Sequence, residues 1–137
     1  MGGRDGDGGR SPAEPSPSSA RHPIRRNRRL DLDAPGGILD LDQHYGDGTD
    51  QILQRLGLGG IRHVTAGMHT RSARDAVPFL RELPDLVRSF ERCQVLLYQA
   101  GADPHVDDPL GGWMTTAQLA ERDRIVFETA RQIGLPV

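Results

Sequence analysis

Two short apolar runs constrain this chain more than any other feature. They are Gly37-Ile38-Leu39-Asp40-Leu41-Asp42 and Gln94-Val95-Leu96-Leu97-Tyr98-Gln99-Ala100. Each has the length of a strand, and the first ends in carboxylates while the second ends at Gly101, the pattern of a buried strand. Residues 61–66 read as a further strand. The intervals have helical spacing. One helix is expected over 50–56, stopping at Gly57 and Gly59, and one or two short helices over 72–92, with Pro78 and Pro84 placed for first turns. Thr115 and Gln118 form a capping box for a longer helix. Leu119, Val126, Ala130 and Ile133 line its apolar face, Gly134 ends it, and Leu135-Pro136-Val137 reads as the entry to another strand. Strands alternating with helices imply an α/β fold with a parallel sheet covered on both faces. Ligands in such sheets sit beyond the carboxyl ends of the strands.

The first 36 of the 137 residues differ in kind. Gly2, Gly3, Gly6, Gly8 and Gly9 precede Pro12, Pro15, Pro17 and a run of serines, and then Arg25, Arg26, Arg28 and Arg29. Such a stretch buries too little apolar surface to offset its ordering entropy, so 1–36 reads as a disordered leader and 37–137 as the folded part. The arginines lack interleaved aromatics, and the formal net charge is −2; neither favours nucleic-acid binding. A single cysteine, Cys93, excludes an internal disulfide framework and a cysteine-rich zinc site. No apolar run approaches the roughly 20 residues of a membrane helix, and the start lacks a signal-peptide centre, so the expected location is cytoplasmic. All 17 basic residues are arginine, which removes any mechanism built on a lysine.

The chemistry concentrates where the two runs end. In an extended segment, alternate side chains share a face, which places Asp40, Asp42 and His44 together. Two carboxylates crowded beside an imidazole repel each other unless a cation is present. Oxygen and nitrogen donors suit zinc or iron. With Asp103 from the second run, Asp42 and His44 make three ligands and leave an open position, as in a catalytic zinc site. A calcium loop starting at Asp40 requires Gly and Glu where this chain has Tyr45 and Gln51. A haloacid-dehalogenase-type phosphatase, with Asp40 as nucleophile and Asp42 as acid, usually recruits a lysine, and the chain has none.

Asp40-Leu41-Asp42-Gln43-His44-Tyr45-Gly46-Asp47-Gly48-Thr49 resembles the Asp-x-Asp-x-His-x-Gly-(Asp/Asn)-Gly-Thr signature of the histone deacetylase superfamily, which includes acetoin-utilisation-type proteins and acetylpolyamine amidohydrolases. Gln99-Ala100-Gly101-Ala102-Asp103-Pro104, with Asp108-Pro109-Leu110-Gly111-Gly112, resembles its second signature. The resemblance spans about 37–137. It implies a three-layer α/β/α sandwich and a zinc-dependent hydrolase acting on an acetylated amine, such as acetyl-lysine or an acetylpolyamine. It assigns zinc to Asp42, His44 and Asp103. Asp40 and Asp47 match carboxylates that orient two adjacent catalytic histidines. Asp40, Asp42, His44 and Met68 match a monovalent-ion site, usually for potassium, completed by a strand that Thr65-Ala66-Gly67-Met68-His69 resembles. There Gly67 stands where a serine hydroxyl is usual, which implies weaker or water-mediated binding.

Two parts of the family's machinery have no counterpart. The adjacent histidine pair is missing upstream of Asp40, where His22 stands alone, and no Gly-Gly-Tyr segment follows. The expectation is therefore a domain truncated at both ends, a metal cradle with little activity by itself. The alternative is a non-catalytic metal-binding or interaction fragment. Tyr98 is expected to pack, His63 and His105 to lie at the surface, His69 to support the ion site, and Cys93 to be buried. Trp113 either edges a substrate channel or covers the sheet end. The sequence does not set an oligomeric state.

Overall fold

The computed structural model describes residues 35–68 and 71–137. Three strands, β1 (Gly36–Asp40), β2 (Ile61–Thr65) and β3 (Leu96–Gln99), form a parallel sheet in the order β2-β1-β3. Helix α1 (Asp47–Arg55) joins β1 to β2, α2 (Ala76–Arg88) lies between β2 and β3, and α3 (Thr116–Ile133) follows β3. This is an α/β fold with a small parallel sheet. The leader expected over 1–36 falls almost wholly outside the described residues.

The register sorts the side chains onto two faces. Leu39 pairs with Val64 and Tyr98, and Gly37 with Arg62 and Leu96. That face is covered by α2 and α3, whose Phe79, Leu83, Val87, Val126 and Ala130 join Leu39, Leu41 and Leu96 in the core. On the other face Asp40 pairs with Thr65 and Gln99, and Ile38 with His63 and Leu97. Helix α1 lies along β2 there and buries none of its residues, and Leu97 is 60% exposed. Covering of both faces is thus much less complete than the sequence pattern implies.

The capping box holds: Gln118 N–H donates to Thr115 Oγ1 at 3.3 Å, and Thr115 N–H donates to Gln118 Oε1 at 2.8 Å. Gly134 ends α3 with φ of 70°. Pro84 departs from expectation, because it lies inside one continuous helix instead of opening a second. It removes one backbone donor from α2, but Phe79, Leu83 and Val87 keep the buried stripe continuous across it. After α3 the chain returns to the sheet: Leu135 is buried and Leu96 N–H donates to the Pro136 carbonyl at 2.8 Å. No helix among the described residues is long and apolar enough to cross a membrane.

Candidate metal centre

Strands β1 and β3 are neighbours in a parallel sheet, so their carboxyl ends deliver two loops to the same place. The first loop does not continue as a strand. Residues 42–44 form a bend, in which Asp42 Oδ1 accepts from the His44 N–H at 2.6 Å and Asp40 Oδ1 accepts from the Asp42 N–H at 3.1 Å. This corrects the expectation that Asp40, Asp42 and His44 share one extended face. Short aspartate side chains capture backbone amides two residues on and turn the chain. Asp42 and His44 meet through that turn, whereas Asp40 stays beneath it, 97% buried.

Asp103 arrives from the loop after β3. Its Oδ2 lies 2.9 Å from His44 Nδ1, and Asp42 Oδ1 lies 3.3 Å from the same nitrogen. Asp42, His44 and Asp103 each offer one ligand atom within 4.8 Å of the others, so the group could hold a metal ion. Asp103 Oδ1 is buried without a hydrogen-bond partner among the described residues, leaving an acceptor that a cation would satisfy. Burial, then the neighbouring Asp42, pushes the Asp103 carboxyl above its ordinary range. Burial pushes Asp42 upward too, but the His44 amide and the adjacent side chains outweigh it and hold Asp42 low. Two carboxylates whose titrations are driven apart resist ionising together without a counter-charge.

Two features keep the loops in place. Gly101 permits the approach, since a Cβ there would lie 2.5 Å from Asp103 Oδ1 and 2.9 Å from Asp42 Cα. Arg122 of α3, only 2% exposed, donates from Nη1 to the carbonyls of Leu41 at 3.2 Å and Gly101 at 2.9 Å. Its Nε donates to Asp123, which also accepts from the Tyr98 hydroxyl. Sequence reasoning missed Arg122. The signal was its position, three residues after Leu119 and four before Val126, on the apolar face of the helix.

A cavity of about 410 Å³ opens beside the cluster, lined in part by Asp42, His44, Tyr45, Gly67, Arg71 and Trp113. Trp113 lines this cavity and packs edge-on against Phe79, with ring centroids 5.2 Å apart. Tyr45 donates its hydroxyl to Asp50. Tyr98 packs edge-on with Phe127.

The end of β2 is not the strand expected over Thr65–His69. The strand stops at Thr65, and Ala66–Met68 form a 3-10 turn. A Cβ on Gly67 would overlap the His44 carbonyl oxygen, so backbone contact excludes any side chain at this position. Thr65 Oγ1 sits within 3.5 Å of that carbonyl and accepts from the Gly67 N–H at 3.2 Å. His69 lies outside the described residues.

His63 overturns its expected surface position. Its side chain is 3% exposed, with Nδ1 2.7 Å from Asp50 Oδ1 and Nε2 3.9 Å from Asp40 Oδ2. A histidine facing inward on β2, paired in register with Ile38, could have been found from strand alternation once β2 was placed. Asp47 is exposed in the first turn of α1 and meets Gln51 at 3.5 Å, outside the cavity lining. His105 ties its loop to Thr116 at 2.8 Å. Cys93 is partly buried, and that burial pushes its thiol upward. No protein-family model matches this chain, and neither does a curated protein or a solved structure.

Proposed function

We propose that this chain carries the metal cleft of a zinc-dependent amidohydrolase of the histone deacetylase type, directed at an acylated amine. The observation behind this reading is the meeting of Asp42, His44 and Asp103 from two separate loops at the carboxyl end of a parallel sheet. The donor set of two carboxylates and one imidazole suits zinc, and the buried, unpartnered Asp103 Oδ1 fits a cation there. The three-layer sandwich belongs to the same proposal, as does a monovalent cation, such as potassium, near the backbone of Asp40, Asp42, His44 and Met68.

Each residue then has a task. Asp42, His44 and Asp103 hold the ion, which when bound supplies a Lewis acid to polarise an acyl carbonyl. Asp40 fixes the Asp42 amide, and Arg122 fixes both loops. Trp113 and Tyr45 wall the cavity. His44 is the cavity's one imidazole among the described residues and is assigned to the metal. Tyr45 has given its hydroxyl to Asp50. A general base is worth about 10²–10⁴ in rate and an oxyanion donor about 10²–10³, so turnover by this chain is expected close to background. The same observation favours the second reading, a metal-binding module without catalysis.

Zinc titration of the full chain by calorimetry, paired with turnover and binding of an acetyl-lysine peptide and an acetylpolyamine, separates these readings. One zinc per chain, lost in Asp103→Ala, is expected with either. Turnover close to background is expected with both, so the readings part on ligand binding: zinc-dependent binding of an acylated amine selects the amidohydrolase cleft, and its absence selects the module. A folded chain that takes up no zinc contradicts both.

A further inference from the structure

Arg71 is the one cation lining the cavity beside the candidate metal group among the described residues, and none of these uses its hydrogen-bonding capacity. Its guanidinium lies over two aromatic faces, 4.6 Å from the Phe79 ring centroid and 5.3 Å from that of Trp113. Both aromatics are buried, at 6% and 4% exposure, and are locked edge-on to each other. Arg71 Nε is buried with no hydrogen-bond partner among the described residues. Asp75 feels the charge of Arg71, but its carboxylate is committed to the Ser72 amide at 2.7 Å and the Ser72 hydroxyl at 2.8 Å. Among the described residues Arg71 therefore makes no hydrogen bond and no ion pair, although it is held firmly in place.

We infer that Arg71 is a specificity residue that receives a carboxylate, so that the ligand of this cleft is an N-acyl amino acid. This rests on the proposed metal reading for the position of the acyl group and for the balance of the Asp42 and Asp103 charges, and on Arg71 for the carboxylate. A guanidinium offers a planar fork of donors matched to a carboxylate. Stacking on Phe79 and Trp113 holds that fork in one orientation, which lowers the cost of ordering it on binding. The charge count points the same way. A divalent cation beside the Asp42 and Asp103 carboxylates leaves those charges balanced, and Arg71 then sets the sign of the cavity. A cationic acetylpolyamine is repelled there, whereas an amide bearing a free carboxylate is attracted. A volume of about 410 Å³ suits a small molecule of that kind.

The test measures binding of three small amides to the full chain by ligand-observed NMR, without metal and with zinc: N-acetylglycine (anionic), N-methylacetamide (neutral) and N-acetylputrescine (cationic). With zinc, N-acetylglycine is expected to bind at least about tenfold more tightly than N-acetylputrescine. Arg71→Gln is expected to remove that preference with zinc affinity and far-ultraviolet circular dichroism unchanged. Arg71→Lys, which keeps the charge but loses the fork, is expected to fall between. Equal binding of the anion and the cation with zinc, undiminished N-acetylglycine binding in Arg71→Gln, or no N-acetylglycine binding to either form overturns the assignment. Failure of zinc binding alongside Arg71-dependent N-acetylglycine binding removes the metal reading and leaves this inference standing. Zinc binding without any effect of Arg71 does the converse.

Discussion

Asp103 Oδ2 accepts a hydrogen bond from the Gln43 backbone amide at 3.0 Å, although 60 positions of chain separate them. This bond fastens the loop after β3 to the loop after β1 at the level of the candidate metal group. It is one of several contacts that prearrange the three side chains before any ion arrives.

Arg122 is the strongest of those contacts. Replacing it with Met leaves the carbonyls of Leu41 and Gly101 without their buried donor and Asp123 without its cation. Hydrogen bonds involving a charged group contribute about 1.5–3 kcal/mol, so Arg122→Met is expected to lower unfolding stability by about 3 kcal/mol in metal-free denaturant titrations. Zinc affinity is expected to fall as well. Unchanged stability would show that the arginine does not pin the loops.

Gly101→Ala tests the approach of the two loops separately from the core. Its Cβ meets Asp103 Oδ1 and the Asp42 backbone, so one loop must move. Overpacking of this kind costs about 1–3 kcal/mol. The expected outcome is a protein that still unfolds cooperatively but binds zinc at least about tenfold more weakly, each 1.4 kcal/mol being a factor of ten. Wild-type zinc affinity in this variant argues against a site assembled from these two loops.

The strand and helix pattern was legible because each element carries its own signal. Leu39 and Leu96 sit in apolar runs, and Thr115, Gln118 and Gly134 bound α3 by local rules. The grouping of Asp42, His44 and Asp103 was legible from the motifs, but the reason offered for Asp42 and His44 was wrong. Alternation along a strand cannot foresee that Asp42 turns the chain by taking the His44 amide. Buried polar residues were the least legible. His63 and Arg122 are stabilised by partners distant in sequence, Asp50 and the carbonyls of Leu41 and Gly101, and their composition alone reads as surface. Gly67 gave no local signal of its role, because its cause lies in the His44 carbonyl pressed against it, from a loop distant in sequence.

Alkaline stability provides a further test. With no lysine in the chain, the side chains that titrate near pH 9–11 reduce to Tyr45, Tyr98 and Cys93. All three are held above their ordinary values: Tyr98 by burial and then its bond to Asp123, Tyr45 by its bond to Asp50, and Cys93 by burial. Groups with raised values in the folded state contribute stability that is complete below the unfolded value and is lost as pH rises through it towards the folded one. Unfolding stability is therefore expected to decline as pH rises past about 10. Tyr98→Phe should flatten part of that decline, at a neutral-pH cost of about 1–2 kcal/mol for the lost hydrogen bond. Chemical denaturation at pH 8 and pH 10.5 reads both effects, and an identical slope in the variant contradicts the assignment to Tyr98.

The most direct measurement is anomalous X-ray diffraction at the zinc edge from crystals of the full chain grown with zinc. The account predicts one strong peak within about 2.0–2.2 Å of an oxygen of Asp42, an oxygen of Asp103 and a ring nitrogen of His44, with no peak at that place in Asp103→Ala. A zinc peak elsewhere on the folded chain with this group left empty, or an undiminished peak in Asp103→Ala, would contradict it.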